Sequence, residues 1–176
     1  LEPRSSGELL SLLRRFRRRF EVVSVLCGSK PVARQAAKDR RVDLLSFSAA
    51  QPRSRFFDSA QATLASKSVA SLELDVSALL SLEGFLRIRL LSSLRREVAL
   101  AKSFHVPIVV SSGATDEHLL RRPFDLAALT KLFDLDSSLA SKAVSDFPLS
   151  IVKRKRLKLS SDFVAPGIRV VRRGDS

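Results

Sequence analysis

The most constraining feature of this sequence is the regular return of short runs rich in valine and leucine. Four of these runs begin near residues 21, 42, 70 and 107, and the segments between them carry apolar residues at helical spacing. Strands that alternate with helices are typical of parallel βα units, because a parallel connection needs a crossover helix. The pattern predicts an α/β fold. On its own it permits either a small doubly wound sheet or part of a (β/α) barrel.

The helices are predicted from amphipathic spacing. In the longest, from about Leu82 to Phe104, the apolar residues form one stripe while arginines fill the remaining positions. A similar arginine-rich helix is expected near the start of the chain. The helical segments are expected at 9–20, from Pro31 through Ala37, at 57–67, at 82–104, from Pro123 onwards, and from Ser137 to Leu157 with an interruption before Pro148.

The run Val69–Val76 alternates apolar and acidic residues. Because side chains alternate between the two faces of a strand, Glu73 and Asp75 share one side and Leu72 and Leu74 the other. An unpaired buried carboxylate is costly. We therefore expect Glu73 to form an internal ion pair with a neighbouring arginine.

The length of the chain predicts its domain organisation. At 176 residues with 45% apolar content, it is long enough for one domain with a substantial core. We expect that domain to span residues 1–157 and a mobile basic tail to occupy residues 158–176. The single cysteine, Cys27, cannot form an internal disulfide and is predicted to be a buried strand residue.

The charge of the chain indicates its class of partner. Lys and Arg outnumber Asp and Glu by 31 to 18, which gives a formal net charge of +13. Such a surface favours polyanions, and nucleic acid is the first candidate. No apolar run reaches the roughly 20 residues that a membrane-spanning helix needs, and no secretory signal is evident. We expect a soluble, intracellular protein with no membrane partner.

Three stretches of sequence, in a fixed order, carry a resemblance to a known family. The first and third each combine strand runs with a neighbouring segment, and the second is the arginine-rich helix. They are Val42–Phe47 with Phe57–Asp58 and Ser71–Val76, then Arg87–Glu97, then Pro107–Ala114 with Leu120–Leu129. Over about residues 8–154, the chain resembles the ribonuclease P protein component 3 family of archaea and eukaryotes.

The resemblance implies a TIM-like barrel that is related to metal-dependent phosphoesterases but lacks their metal ligands. Family members usually carry further βα units ahead of those visible here. The expected fold class is therefore α/β, a TIM-like (β/α) barrel that is incomplete at its N-terminus. Residues 1–157 would form this domain.

The resemblance also implies a function. With a small ferredoxin-like RNase P protein subunit, the protein would help the ribonuclease P RNA to remove the 5′ leader from precursor tRNA. The RNA, using magnesium, would carry out the hydrolysis. The protein is thus expected to be a non-catalytic subunit that binds no cofactor and no metal. Its expected location is the cytoplasm in an archaeon and the nucleus in a eukaryote.

Basic residues would carry this role, because phosphate contacts supply most of the nonspecific affinity for nucleic acid. The chain has no Trp or Tyr on which bases could stack, so recognition of the backbone and shape of folded RNA is favoured. Glu73 and Asp125 are expected to be structural. The candidate RNA-binding residues are Arg53, Arg55, Arg87, Arg89, Arg95, Arg96, Arg121 and Arg122.

Two other functions remain open from the residues alone. A metal-dependent phosphoesterase would need several histidines and carboxylates around its metals, and only His105 and His118 are available. Both are better explained as surface or packing residues. A general RNA-binding structural protein fits the composition equally well. The Ser111–Gly113 turn lacks the glycine pattern of a nucleophile turn, although its backbone N–H groups could bind phosphate.

Overall fold

A parallel sheet organises the chain, and the computed structural model describes residues 1–48, 55–165 and 168–170. Each strand pairs in parallel with the next one along the chain, so the sheet order is sequential. Sequential order is typical of a (β/α) barrel, whereas a doubly wound sheet reverses its order at a switch point. The predicted TIM-like α/β fold is confirmed. The strands are Ser24–Leu26 (β1), Leu44–Ser46 (β2), Ser71–Asp75 (β3) and Ile108–Ser111 (β4).

Helices separate the strands where the periodicity predicts them. The long arginine-rich helix spans Gly84–Ser103 and is called α5 here. The short helix Ser77–Ser81 (α4) follows β3 directly, and its five residues are too few to show a helical period in the sequence. The other helices are Ser6–Phe16 (α1), Lys30–Lys38 (α2), Ser59–Ser66 (α3), Pro123–Leu129 (α6), Ser137–Val144 (α7) and Asp146–Leu159 (α8).

Polar side chains fix where several helices begin. The Ser5 hydroxyl accepts a hydrogen bond from the Glu8 backbone at the start of α1, and Asp58 and Asp136 cap α3 and α7 in the same way. Helix α7 ends before Pro148, as predicted, and Pro148 lies in the first turn of α8. A proline is tolerated there because the first backbone N–H groups of a helix have no partner within the helix.

The core lies between the sheet and the helices that cover it. Leu45, Leu72 and Leu74 point into it from adjacent strands, and Glu73 and Asp75 lie on the less buried face of β3, as predicted. Cys27 is also buried, and this burial raises the pKa of its thiol to about 12. Cys27 is thus buried, as the sequence predicts, although it directly follows the end of β1 instead of lying within the strand.

The last described segment contains an antiparallel pair of strands, Phe163–Ala165 (β5) and Ile168–Arg169 (β6). It lies in the stretch expected to be a basic tail. Residues 166–167 and 171–176 of that stretch lie outside the described residues, as do residues 49–54. Because all four central strands are parallel, the sheet has a carboxyl edge, where the strands end, and an amino edge, where they begin.

Candidate nucleic-acid interface

Helix α5 carries several basic side chains at the protein surface. Its buried residues include Leu90, Leu94 and Val98, so the helix is held by its apolar stripe while its arginines point outward. Arg87 and Arg96 are exposed. A helix fixed in this way gives its exposed guanidinium groups defined positions, which suits contacts with phosphates.

Neighbouring groups orient several of these arginines. Arg89 is partly buried, and its guanidinium carbon lies 5.5 Å from the centre of the Phe85 ring. The Arg95 Nε donates a hydrogen bond of 2.9 Å to the Leu132 carbonyl and lies 3.4 Å from a carboxylate oxygen of Asp134. The charge of Arg95 is therefore partly compensated within the protein, whereas that of Arg96 faces solvent.

Arg121 and Arg122 stand just before α6 and are exposed. The Arg121 Nη1 donates to the backbone carbonyls of His118 and Leu120, at 3.2 and 3.1 Å. These contacts hold the guanidinium close to its own loop. The structure thus places both residues on the surface, consistent with their predicted availability.

Arg55, a candidate RNA-binding residue, is buried inside the protein. Its side chain is only 2% exposed, and that of its partner Glu97 is fully buried. The Arg55 Nε donates a 2.7 Å hydrogen bond to Glu97 Oε1, its Nη2 bonds to Oε2, and its Nη1 donates to the Phe47 carbonyl at 3.0 Å. A guanidinium with its donors engaged inside the protein cannot also reach an RNA phosphate. The role of Arg55 is structural, and it joins the segment after β2 to α5.

Glu97 was missed by the sequence reasoning, although a signal for it exists. It falls on the apolar stripe of α5, between the buried residues Leu94 and Ala101. A glutamate at such a position is buried and needs a cationic partner. The sequence could not say which arginine supplies it. Arg53, the neighbouring candidate, lies outside the described residues.

The two residues predicted to be structural lie in different settings. Because Arg53 lies outside the described residues, the expected ion pair of Glu73 with an arginine stays a prediction. Among the described residues Glu73 forms no ion pair. Instead, Glu73 Oε2 accepts a hydrogen bond of 2.9 Å from the Ser24 hydroxyl, which ties β3 to β1. Asp125 lies in the first turn of α6, where a negative charge stabilises the helix.

The loop after β4 packs tightly against the carboxyl edge. Gly113 has a φ of +57°, and a Cβ atom placed on it would come within 1.9 Å of an Asp75 carboxylate oxygen. The same carboxylate accepts a 2.7 Å hydrogen bond from the Ser77 backbone. Since an anion lies against Gly113, the suggested binding of phosphate by this loop is disfavoured.

The histidines lie at the surface. His105 has a left-handed φ of 56° just after the end of α5, and His118 is exposed, with a ring nitrogen 3.8 Å from Glu117. Within the part of the chain that the structure describes, no three His, Cys, Asp or Glu side chains are grouped as a metal ion would need. Over the same residues, no helix is long and apolar enough to cross a membrane.

Comparison with known proteins identifies the family of the chain. A family model described as RNase P subunit p30 matches residues 1–160. The chain belongs to the RNase P subunit p30 family. This membership confirms the resemblance found in the sequence, and with it the prediction of a ribonuclease P protein subunit.

Curated relatives of this p30 family chain agree with the assignment. The ribonuclease P protein component 3 of Methanosarcina barkeri is 33% identical over 175 residues, which cover 99% of this chain and 72% of the relative. That of Methanocaldococcus jannaschii is 27% identical over 172 residues, which cover 98% of this chain and 73% of the relative.

A solved structure extends the comparison to three dimensions. One chain in the cryo-EM structure of archaeal ribonuclease P with mature tRNA matches with a TM-score of 0.88 and 26% sequence identity. The match covers 99% of this p30 family chain and 75% of the other chain. The arrangement of strands and helices described above is therefore also found in a chain of a ribonuclease P complex.

Proposed function

We propose that this chain is a non-catalytic subunit of ribonuclease P. It binds the ribonuclease P RNA together with a small ferredoxin-like protein subunit, and the RNA, using magnesium, removes the 5′ leader of precursor tRNA. Membership of the p30 family over residues 1–160 is the observation that carries this proposal. The net charge of +13 and the exposed arginines of α5 support a role in neutralising RNA phosphates.

Apolar residues beside the arginines support a protein partner on the same side. Phe85 and Ile88, in the first half of α5, are 68% and 62% exposed. Phe124, at the start of α6, is 86% exposed. Patches of large apolar side chains left open to solvent mark protein interaction sites. We assign the ferredoxin-like subunit to this surface and the RNA backbone to the arginines around it.

The test is precursor-tRNA cleavage by ribonuclease P RNA and the partner subunit, with and without this protein, over a magnesium series. We expect the protein to raise the cleavage rate or to lower the magnesium concentration required, because it neutralises phosphates that magnesium would otherwise screen. The protein alone should cleave neither precursor tRNA nor a generic phosphodiester. Metal-dependent cleavage by the protein alone would favour the phosphoesterase alternative, and no change in either the cleavage rate or the magnesium requirement would contradict the proposal.

Substitutions on α5 and α6 make the test specific. The variant Arg87→Ala, Arg96→Ala and Arg122→Ala removes three exposed charges, and each one that contacts a phosphate should lower the salt slope of RNA binding by about 1. Ser92→Ala, also exposed on α5, is the matched control and should leave the slope unchanged. Equal slopes for the wild type and the triple variant would exclude these arginines as RNA contacts.

A further inference from the structure

A basic cleft opens at the amino edge of the sheet, beside the starts of β1 and β2. Its volume is about 640 Å³, and its walls come from four separate segments: the end of α1, the turn before β2, the last turns of α8, and β5. The lining residues are Arg17, Arg18, Arg40, Arg41, Lys155, Lys158, Leu159, Phe163 and Val164. None of them is among the residues that the sequence pattern singled out for RNA.

Most of the positive charge in this cleft is uncompensated. Arg17, Arg18, Arg40 and Lys158 have no carboxylate within 4 Å among the described residues. Arg41 and Lys155 are the exceptions, since Arg41 pairs with Asp39 at 2.6 Å and Lys155 pairs with Asp43 at 2.8 Å. Cations brought together from distant parts of the chain repel one another, and this repulsion is relieved when an anion binds between them.

Through Lys155, the cleft adjoins a buried ion cluster with an excess of positive charge. Asp43 is fully buried, accepts a 3.0 Å hydrogen bond from the Val23 backbone, and pairs with two cations. Arg154 lies 2.9 Å and Lys155 2.8 Å from its two carboxylate oxygens. Lys155 is itself only 7% exposed. Packing therefore fixes the position of its ammonium group, unlike that of a lysine on the open surface.

The cations around Lys158 affect its pKa. Burial lowers the pKa of its ammonium group, and the positive charges of Lys155 and Arg154 lower it further. The Arg154 Nε is in addition a buried donor without a hydrogen-bond partner among the described residues. A bound anion would oppose the repulsion at Lys158.

We propose that this cleft binds backbone phosphates of a single RNA segment, as a second RNA contact on the edge of the sheet opposite the Arg55–Glu97 pair. A single phosphate would fill only a small part of a cleft this size, and four uncompensated cations suit a row of phosphates better. Phe163 and Val164 provide an apolar wall for the riboses or bases between them. The choice of RNA over another polyanion rests on the function proposed above.

The binding test compares two variants of equal charge. One replaces Arg18, Arg40 and Lys158 by alanine in the cleft, and the other replaces Lys30, Lys67 and Lys142, which are exposed on other elements. Binding of ribonuclease P RNA is measured for both against the wild type over a salt series. We expect the cleft variant to lose at least tenfold in affinity and two to three units of salt slope, at about 0.7 to 0.9 per phosphate. The control should lose less than one unit, and equal losses would refute the cleft.

A cleavage assay separates this inference from the proposed function. If the wild type stimulates precursor-tRNA cleavage and the cleft variant matches the control in both assays, the cleft proposal fails while the subunit role stands. If the wild type does not stimulate cleavage, the difference in RNA affinity between the two variants still tests whether the cleft binds RNA. A cleft variant that loses stimulation but keeps its RNA affinity would show that the cleft receives an acidic protein segment, and would overturn the RNA assignment.

Discussion

The two edges of the sheet each bury a carboxylate among cations, but they balance the charge differently. At the carboxyl edge, Glu97 and Arg55 form a closed pair of one anion and one cation, and a backbone carbonyl takes up a further donor. At the amino edge, Asp43 faces both Arg154 and Lys155, and the excess charge continues into an open cleft.

The difference shows how the same pair chemistry serves two purposes. A closed pair in the interior has no charge left for a ligand, so it fixes the position of one segment against another. A cluster with more cations than carboxylates keeps a positive potential at the surface. The burial of an arginine therefore does not show whether it can bind RNA. The number of carboxylates that pair with it and its neighbouring cations must also be known. Four substitutions test this contrast, from the largest expected effect to the smallest.

The largest effect is expected at the closed pair. Glu97→Ala leaves the Arg55 guanidinium buried without its carboxylate and should lower the free energy of unfolding by about 3–5 kcal/mol. Urea denaturation followed by circular dichroism measures the loss. The double variant Arg55→Met with Glu97→Leu should recover most of it, because both charges are then removed together. A loss of under about 1 kcal/mol in the single variant would mean that water reaches the pair.

Asp43→Asn should cost less, about 2 kcal/mol, because Arg154 is partly exposed and solvent screens the charge left behind. The contrast sharpens when inorganic phosphate is added. Phosphate should raise the melting temperature of Asp43→Asn more than that of Glu97→Ala, since the cleft gives an anion access to only one of the two clusters. Equal shifts would mean that the amino edge is closed as well.

The close packing of the carboxyl edge is tested at Gly113. Gly113→Ala places a Cβ atom at a φ of +57° and against Asp75, so we expect a loss of about 1–2 kcal/mol. Gly28→Ala is the matched control, because Gly28 follows β1 at the same edge and nothing lies within 4 Å of an added Cβ. Comparable losses in both variants, measured by thermal denaturation, would argue against a specific collision at Gly113.

The smallest effect concerns Asp39, beside the cleft. The hydrogen bond from Arg41 lowers the pKa of Asp39, so its contribution to stability is present above the unfolded value of about 3.9 and is lost as the pH falls through the lower folded value. Asp39→Asn should cost under about 1 kcal/mol at pH 7 and should flatten the stability curve below about pH 4. It also frees Arg41, so RNA affinity should rise slightly. Weaker RNA binding would contradict the role of the cleft.

Local patterns predicted most of the fold, because helical and strand periods are properties of neighbouring residues. The bounds of β3 and α5 fall within two residues of the predicted segments. The ion clusters were not predictable in this way. Arg55 and Glu97 are 42 residues apart, and Asp43 and Arg154 are 111 apart, so only the folded chain brings them together.

The sequential order of the strands has a consequence for how the chain is made. Each βα unit can pack onto the preceding one as the polypeptide leaves the ribosome, since every strand pairs with its neighbour in the chain. The amino-edge cleft cannot form in this stepwise manner, because Asp43 must wait for Arg154 and Lys155 near the end of the chain. A nascent or truncated chain that lacks α8 would have its sheet but not this cleft.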